Sequence, residues 1–426
     1  MEQNALDTLR ERGFIDWTTD EEGVRKLFAS GMVTAYVGFD PTADSLHVGH
    51  LIPLMGLAWL QKLGHRPIVV AGGGTGMIGD PSMKSAERKL LTMEQITHNV
   101  ECVKKQLAHF VDFNCGENSA ILVNNYDWLS AMNFLEFLRD VGKYFTINKM
   151  IAKEHVRSRI EDPTKSLSFT EFAYSLLQAY DFYYLYTHYN CRIQMGGNDQ
   201  QGNITSGIDY IRKHEEGALV YGGTNPLLLT SAGHKFGKTE SGAVWLDPAR
   251  TSPYQFYQFW VNTEDATVEK ALRYFTFLPT AEITEIVARH MQHPEKREAQ
   301  RALAYEITKI VHGQHAADSA KRASEILFGA SFTPEDLTEE MLHILAAETP
   351  CGKVSGLPRP LPEVLAEVGA CKSRGEAKRL IASGGISVNG VRATDKTALS
   401  NEDILCGYYA LVRIGRKKYY MIGLTE

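Results

Sequence analysis

No apolar run in the 426 residues reaches the length of a membrane-spanning helix, so a helical membrane anchor is not expected. Cysteine is sparse. The six residues, Cys102, Cys115, Cys191, Cys351, Cys371 and Cys406, are scattered and form no C-x-x-C pair. That excludes a disulfide framework and a zinc ribbon, and leaves free or buried thiols in a reducing compartment. Excess positive charge is also missing: the net charge is −6, which excludes a uniformly basic nucleic-acid binder. Residues Met1–Glu22 are acidic and have no apolar core, so no signal or transit peptide is expected and a cytoplasmic location is. No internal repeat or low-complexity tract points to a solenoid or a disordered arm. His290, His293, His312 and His315 include no i, i+4 pair with a carboxylate base, so surface histidines are expected and no metal site is assigned.

What is present is an ordinary globular composition, long enough for more than one domain, with an uneven charge. From Leu357 to Glu426 there are 11 Lys/Arg against 7 Asp/Glu, +4, while the remainder carries 34 against 44, −10. A basic tail on an acidic body suggests that the tail meets a polyanion.

The most informative stretch runs from Tyr36 to His50. Met32–Phe39 is apolar and β-branched and predicts a strand, which Asp40-Pro41-Thr42 stops. His47-Val-Gly-His50 then opens an apolar helix, Leu51–Leu63, with Pro53 tolerated in its first turn. Two imidazoles are thereby set at a helix N-terminus past the carboxyl end of a strand, a place that attracts phosphate. Gly49 leaves room for a flat ring against the backbone.

Helices are expected at Asp7–Arg12 and Glu21–Ala29, strands at Arg66–Ala71 and Ala120–Asn124, and an amphipathic helix at Glu94–His109. Gly74-Thr-Gly-Met-Ile-Gly79 fits the dinucleotide pattern G-x-G-x-x-G, but Asp80-Pro81 would break the helix that pattern must open. It reads instead as a glycine-rich floor under a small molecule, with Asp80 placed to pair with an ammonium group. Lys84 and Arg88 in the next loop could reach phosphates. Trp128–Val141 and Lys149–Arg159 are expected as helices. In Phe169–Asp181, Tyr174, Gln178 and Asp181 share one helix face, which is either a pocket wall or a buried polar network. Cys191–Gln200 is a strand ending in Gly196-Gly197, beyond which Asp199 could accept a ribose hydroxyl. Gly233-His-Lys-Phe-Gly-Lys-Thr239 carries Lys235 and Lys238 on a loop able to close on pyrophosphate.

Residues 250–345 have helical composition, 346–360 read as a linker, and 361–426 as two short helices with a hairpin and further strands. Arg374, Lys378 and Arg379 lie on one helix edge and, with Lys417, could form a patch for structured RNA.

Gly-Phe-Asp-Pro-Thr-Ala-Asp-Ser-Leu-His-Val-Gly-His50 resembles the nucleotide-binding signature of class I aminoacyl-tRNA synthetases, in the bacterial tyrosyl form, and the later motifs follow in that family's order. The resemblance implies an α/β fold: a Rossmann-like parallel-sheet catalytic core over 1–245 with an inserted dimerisation segment, an all-helical domain over 250–345, and a small α+β RNA-binding domain over 361–426. It implies a homodimer that joins tyrosine to ATP, accompanied by Mg2+, and passes the tyrosyl group to tRNA. For the insertion, ordinary core packing fits the pattern equally well. By the same resemblance Tyr36 and Asp181 hold the phenol, and Asp80, Tyr174 and Gln178 the ammonium. Asp40, Gln194 and Gln200 lie around the carboxylate and α-phosphate. Gly38, His50, Gly197 and Asp199 line the adenosine, and Thr42, His47, Lys84, Arg88, Lys235 and Lys238 meet the leaving phosphates. Lys235-Phe-Gly-Lys-Thr239 departs from the commonest Lys-Met-Ser-Lys-Ser form, Asn198 and Gln201 stand where serine and tryptophan are usual, and Val37 replaces a frequent cysteine. A tryptophanyl enzyme is disfavoured by Tyr36 and Asp181. A nucleotidyltransferase of small substrates leaves the basic tail unexplained, and a non-catalytic RNA binder leaves the intact histidines and lysines unexplained.

Overall fold

The computed structural model describes residues 4–81, 91–162, 166–226, 238–239, 242–328, 330–394, 398–415 and 418–425. Its contacts separate two compact units, Met1–Ser252 with Phe259–Val311, and Pro253–Gln258 with His312–Glu426.

The first unit is built on six strands: β1 (Trp17–Thr18), β2 (Thr34–Phe39), β3 (Arg66–Ala71), β4 (Ile121–Asn124), β5 (Cys191–Gly197) and β6 (Tyr221–Asn225). Their order across the sheet is β1-β6-β5-β2-β3-β4. Strands β2 to β6 are parallel, and only β1 is antiparallel, paired to β6. The chain moves outward from β2 through β3 to β4, then returns to lay β5 on the other flank of β2. The reversal opens a crevice at the carboxyl ends of β2 and β5, where open α/β sheets bind ligands. Strand β1 falls in a stretch from which no strand was expected. Two residues, both half-buried, are too short a run to show alternation.

Helix α1 (Leu51–Lys62) follows β2 and is buried along nearly its whole surface, from Leu51 through Leu60. Helix α2 (Met93–Leu107) starts at a Thr92–Gln95 capping box. Helix α3 (Tyr126–Leu129) is one turn past β4. Helix α4 (Phe169–Tyr189) begins at a Ser168–Glu171 capping box and ends on Asn190, whose φ of 52° is left-handed. Glu171 is also held by a buried ion pair with Arg159 at 2.8 Å. Helix α5 (Gln201–His214) follows β5.

The two helices expected over Trp128–Val141 and Lys149–Arg159 are instead short pieces. Asn133 accepts bonds from the N–H groups of Leu135 and Glu136 and so starts a new helix inside the first segment. A wide turn, Phe137–Val141, follows. Large apolar side chains are left outside: Phe134 is 65% exposed, Leu135 73% and Phe169 69%.

The same unit ends in helices α6 (Asp265–Phe275), α7 (Thr280–Gln292) and α8 (Glu298–His312). The expectation of surface histidines fails at His290, which is 0% exposed. Ile283, Ile286, Val287 and His290 form the inner stripe of α7, and His290 Nε2 lies 2.9 Å from Asp265 Oδ1 at the start of α6. Gln300 donates to the same oxygen. Arg12 lies 3.6 Å over the Trp59 ring of α1 and donates to the carbonyls of Arg273, Thr276 and Leu278 beyond α6.

In the second unit, helices α9 (Gln314–Leu327) and α10 (Glu339–Glu348) bury Ala323, Ile326, Leu342 and Leu345 in one cluster with Leu411, Tyr419 and Met421. Segment 346–360 is more than a linker. It supplies strand β7 (Cys351–Val354), which pairs in parallel with the strand Lys418–Leu424. The sheet continues through β8 (Ile386–Val388), β9 (Val391–Arg392) and β10 (Tyr409–Ile414) to that strand, β11, in the order β9-β8-β10-β11-β7. Asn389 and Gly390 have φ of 50° and 86°, which fits the tight hairpin turn read from Asn-Gly. Helices α11 (Leu361–Glu367) and α12 (Arg374–Ala382) cover the sheet.

Candidate active site

At the end of β2 the two histidines cap their own turn. His47 Nδ1 accepts from the N–H of Gly49 at 3.0 Å, and His50 Nδ1 accepts from the N–H of His47 at 3.1 Å. A nitrogen that accepts a backbone N–H carries no proton, so both rings are neutral and keep their N–H on Nε2. Burial, and then the neighbouring His47, hold His50 down at about 3, so it stays neutral throughout the physiological range. A Cβ on Gly49 would come within 2.7 Å of the His47 ring. Glycine here makes room for the capping imidazole.

The glycine run behaves as a floor. Only Thr75–Ile78 is helical, a single turn that ends at Gly79 with φ of 82°. A Cβ on Gly72 would sit 2.5 Å from Asp40, and one on Gly73 would sit 2.2 Å from Asn124. These glycines let the ends of β2, β3 and β4 close on one another.

Asp181 on α4 is fully buried, and each of its oxygens has a donor. Asn125 Nδ2 gives to Oδ2 at 3.0 Å, and Trp128 Nε1 gives to Oδ1 at 2.7 Å. Burial pushes the carboxyl up to about 7, while the two donors pull the other way. Tyr36 brings its hydroxyl to the same place, buried and without a hydrogen-bond partner among the described residues. Burial, then the charge of Asp181, raise its pKa. The Tyr36 hydroxyl and the Asp181 carboxyl both line the same cavity.

A second polar chain lies one turn up α4. Gln200 Nε2 donates to Asp80 Oδ2 at 2.6 Å and to Asp199 Oδ2 at 3.3 Å, and Gln178 Nε2 donates to Gln200 Oε1 at 3.2 Å. The Oε1 atoms of Gln178 and Gln194 are buried and have no hydrogen-bond partner among the described residues. Thr75 Oγ1 donates to Asp40 Oδ1 at 3.1 Å.

One cavity of about 430 Å³ joins these groups. Tyr36, Gly38, Asp40, Thr42, His47, His50, Asp80, Tyr174, Gln178, Asp181, Gln194, Gly197, Asp199 and Gln200 all line it. A Cβ on Gly38 would meet nothing, so the space in front of it belongs to the cavity. Lys84, Arg88 and Lys235 lie outside the described residues, as does the side chain of Lys238. Arg374, Lys378 and Arg379 are far along the chain, on α12 of the second unit, where Arg374 pairs with Glu363 at 3.0 Å. Lys417 is outside the described residues.

Sequence reasoning missed Asn125. Its Oδ1 accepts from the N–H of Gly74 at 2.8 Å, and its Nδ2 reaches Thr75 Oγ1 as well as Asp181. Its position just past the carboxyl end of a predicted strand was a usable signal. Trp128 was seen only as a helical apolar residue. Lys153 gave no signal. Its ammonium is buried without a hydrogen-bond partner and pushed down to about 8 by burial, with Asp80 acting oppositely.

A parallel sheet with a switch point, an imidazole pair at a helix start and a buried polar pocket are shared by known proteins. Residues 29–329 match the family described as tRNA synthetases class I (W and Y). The chain belongs to the class I tRNA synthetases. Residues 341–422 match the tyrosine–tRNA ligase C-terminal domain family. The chain is 49% identical over 424 residues to the tyrosine–tRNA ligase of Roseiflexus castenholzii, covering 99% of both chains. It is 47% identical to that of Bacillus pumilus, covering 98% of both. Among solved structures, a C-terminally truncated mitochondrial tyrosyl-tRNA synthetase of Aspergillus nidulans superposes with a TM-score of 0.69 at 33% identity. That match covers 77% of this chain and 95% of the other. In this class I synthetase the cavity described above lies at the switch point of the sheet.

Proposed function

We propose that the cavity activates tyrosine with one end shaped for the phenol and the other for ATP. The chain ligates tyrosine to tRNA: tyrosine and ATP give tyrosyl-adenylate and pyrophosphate, and the tyrosyl group then passes to the 3′ end of the tRNA for protein synthesis. The observation that carries the amino-acid assignment is the Tyr36–Asp181 end of the cavity, where a buried hydroxyl lacks a partner beside a doubly held carboxylate. The phenol O–H donates to Asp181 and accepts from Tyr36. An indole N–H could use Asp181 but would leave Tyr36 unpaired, which disfavours tryptophan.

Asp80, Tyr174 and Gln178 receive the ammonium, and the Gln200 bridge fixes the Asp80 carboxylate for it. Asp40, Gln194 and Gln200 surround the carboxylate and α-phosphate. Gly38, His50, Gly197 and Asp199 take the adenosine. The tyrosine carboxylate attacks the α-phosphorus in line and pyrophosphate departs. No side chain acts as a nucleophile, and the rate comes from positioning and charge stabilisation. His50, whose Nδ1 accepts from the N–H of His47, donates through Nε2–H, and His47 with Thr42, Lys84, Arg88, Lys235 and Lys238 meets the leaving phosphates. Magnesium enters with ATP, held chiefly by phosphate oxygens. Among the described residues no three His, Cys, Asp or Glu gather as a ready metal cage.

The exposed Phe134, Leu135, Leu138 and Ile147 form a surface suited to a second copy, giving a homodimer. Arg374, Lys378, Arg379 and Lys417 of the basic C-terminal segment engage the tRNA backbone, in the cytoplasm. The test is pyrophosphate exchange into ATP with each amino acid in turn. Tyrosine should drive it and tryptophan should not; equal exchange with another amino acid would overturn the assignment.

A further inference from the structure

Asp181 is held by two donors, and one of them is itself supported from outside the cavity. Trp128 stands on α3, a helix of one turn, too short to be rigid by itself. Its N–H bond to Asp181 fixes one point of the indole. Within the apolar cluster that buries Trp128, Tyr184 covers one face of the ring, with centroids 4.3 Å apart and planes 15° apart. Tyr184 stacks in turn on His188 at 3.9 Å and 14°. His188 Nδ1 lies 3.0 Å from the Tyr184 carbonyl and 2.9 Å from Thr187 Oγ1. Asp181, Tyr184 and His188 follow one face of α4 at i, i+3 and i+7. The carboxylate and the rings that brace its donor are therefore carried by one rigid helix. Tyr184 is not among the residues lining the cavity.

We propose that Tyr184 is a positioning residue for amino-acid selection: its ring fixes the Trp128 indole, and through it the Asp181 carboxylate that receives the phenol. The inference rests on the tyrosine-activating reading above. Only a substrate with a phenol O–H uses Asp181, so the effect of Tyr184 is confined to tyrosine. Phenylalanine and ATP do not report on it.

The experiment compares Tyr184→Leu, Tyr184→Phe and the unaltered full chain in pyrophosphate exchange, with tyrosine and with phenylalanine. Losing one aromatic stack should raise the KM for tyrosine by about three- to tenfold. The KM for ATP and kcat/KM for phenylalanine should not change, and Tyr184→Phe, which keeps the ring, should match the unaltered protein. The low-pH rise in the tyrosine KM should also move to higher pH in Tyr184→Leu, because Asp181 loses a well-aimed donor. If Tyr184→Leu does not fold, Tyr184→Met carries the same expectation. Unchanged tyrosine selectivity in the folded variant would overturn the proposal, as would equal losses for tyrosine, phenylalanine and ATP. Absence of tyrosine-driven exchange by the unaltered protein would instead overturn the functional reading itself.

Discussion

On the proposed reading, Asp181 places the selection of the phenol on a single titrating group. Raised to about 7, it changes charge within the working range of the protein. Ionised, the group accepts from the phenol in a charge-assisted bond about twice as strong as a neutral one, and protonation weakens that bond. Tyrosine affinity should therefore weaken as pH falls through about 7 and be greatest above it. Asp181→Asn should flatten that limb in a pH series of the tyrosine KM and erode preference over phenylalanine. A limb that survives in the variant would assign the titration elsewhere. Stability has the opposite sign. The folded value lies above the unfolded one of about 4, so this group favours folding less as pH rises from about 4 to 7. Part of this pocket was legible: Tyr36 entered only through the family resemblance, whereas Tyr174, Gln178 and Asp181 announce themselves as polar groups in an apolar helix. Asn125 and Trp128 did not, because their role is to hold another side chain, and no local pattern encodes the partner of a hydrogen bond 53 or 56 residues away.

At the level of elements, the turn Val48–His50 is where glycine has a steric reason. Gly49→Ala would press a methyl against the His47 ring, which would have to give up its cap. The KM for ATP should rise about fivefold with tyrosine binding unchanged, since one lost cap is worth about 1 kcal/mol and the displaced imidazole loses its aim. Equal effects on both substrates would mean that the turn supports the whole pocket. In the helical part of the first unit, Asp265 holds the buried His290 and Gln300. Asp265→Ala should cost about 1–3 kcal/mol by stranding buried polar groups, visible as a lower Tm in calorimetry with tyrosine KM unaltered. An unchanged Tm would mean that both partners find other bonds. The helical composition of residues 250–345 announced α6, α7 and α8, which fall inside that range. It misjudged His290, because a polar residue in an apolar stripe is decided by whether a partner waits at that depth. The broken insertion after Trp128 was misread for a related reason: its apolar spacing is helical, but Asn133 restarts the chain.

At the scale of the molecule, the structure moves the boundary that matters. Helices α9 and α10 share a core with Leu411, Tyr419 and Met421, so the C-terminal module begins near His312 rather than at residue 361. A protein ending near Gly313 should still exchange pyrophosphate with tyrosine but fail to charge tRNA. One ending near Gly356 should be less soluble, because Leu342 and Leu345 lose their cover. Normal charging by the shorter protein would place RNA recognition in the first unit. With the intact chain, tRNA charging should weaken steeply with added salt, while tyrosine activation changes little, because phosphate contacts release counterions. Composition had separated a basic tail from an acidic body, and that much was legible. The share of the middle helices was not, since ownership of a helix depends on which sheet its apolar face meets.

Strand β11 lies inside its sheet, between β10 and β7, although it is the last of those strands along the chain. A ribosome delivers β7 some 64 residues before the strand that must cover its edge, while every strand of the six-stranded sheet in the first unit is complete by Asn225. Emerging polypeptide is thus dealt in two instalments. The first unit can fold while the remainder is still being made, and the second closes only when β11 leaves the exit tunnel.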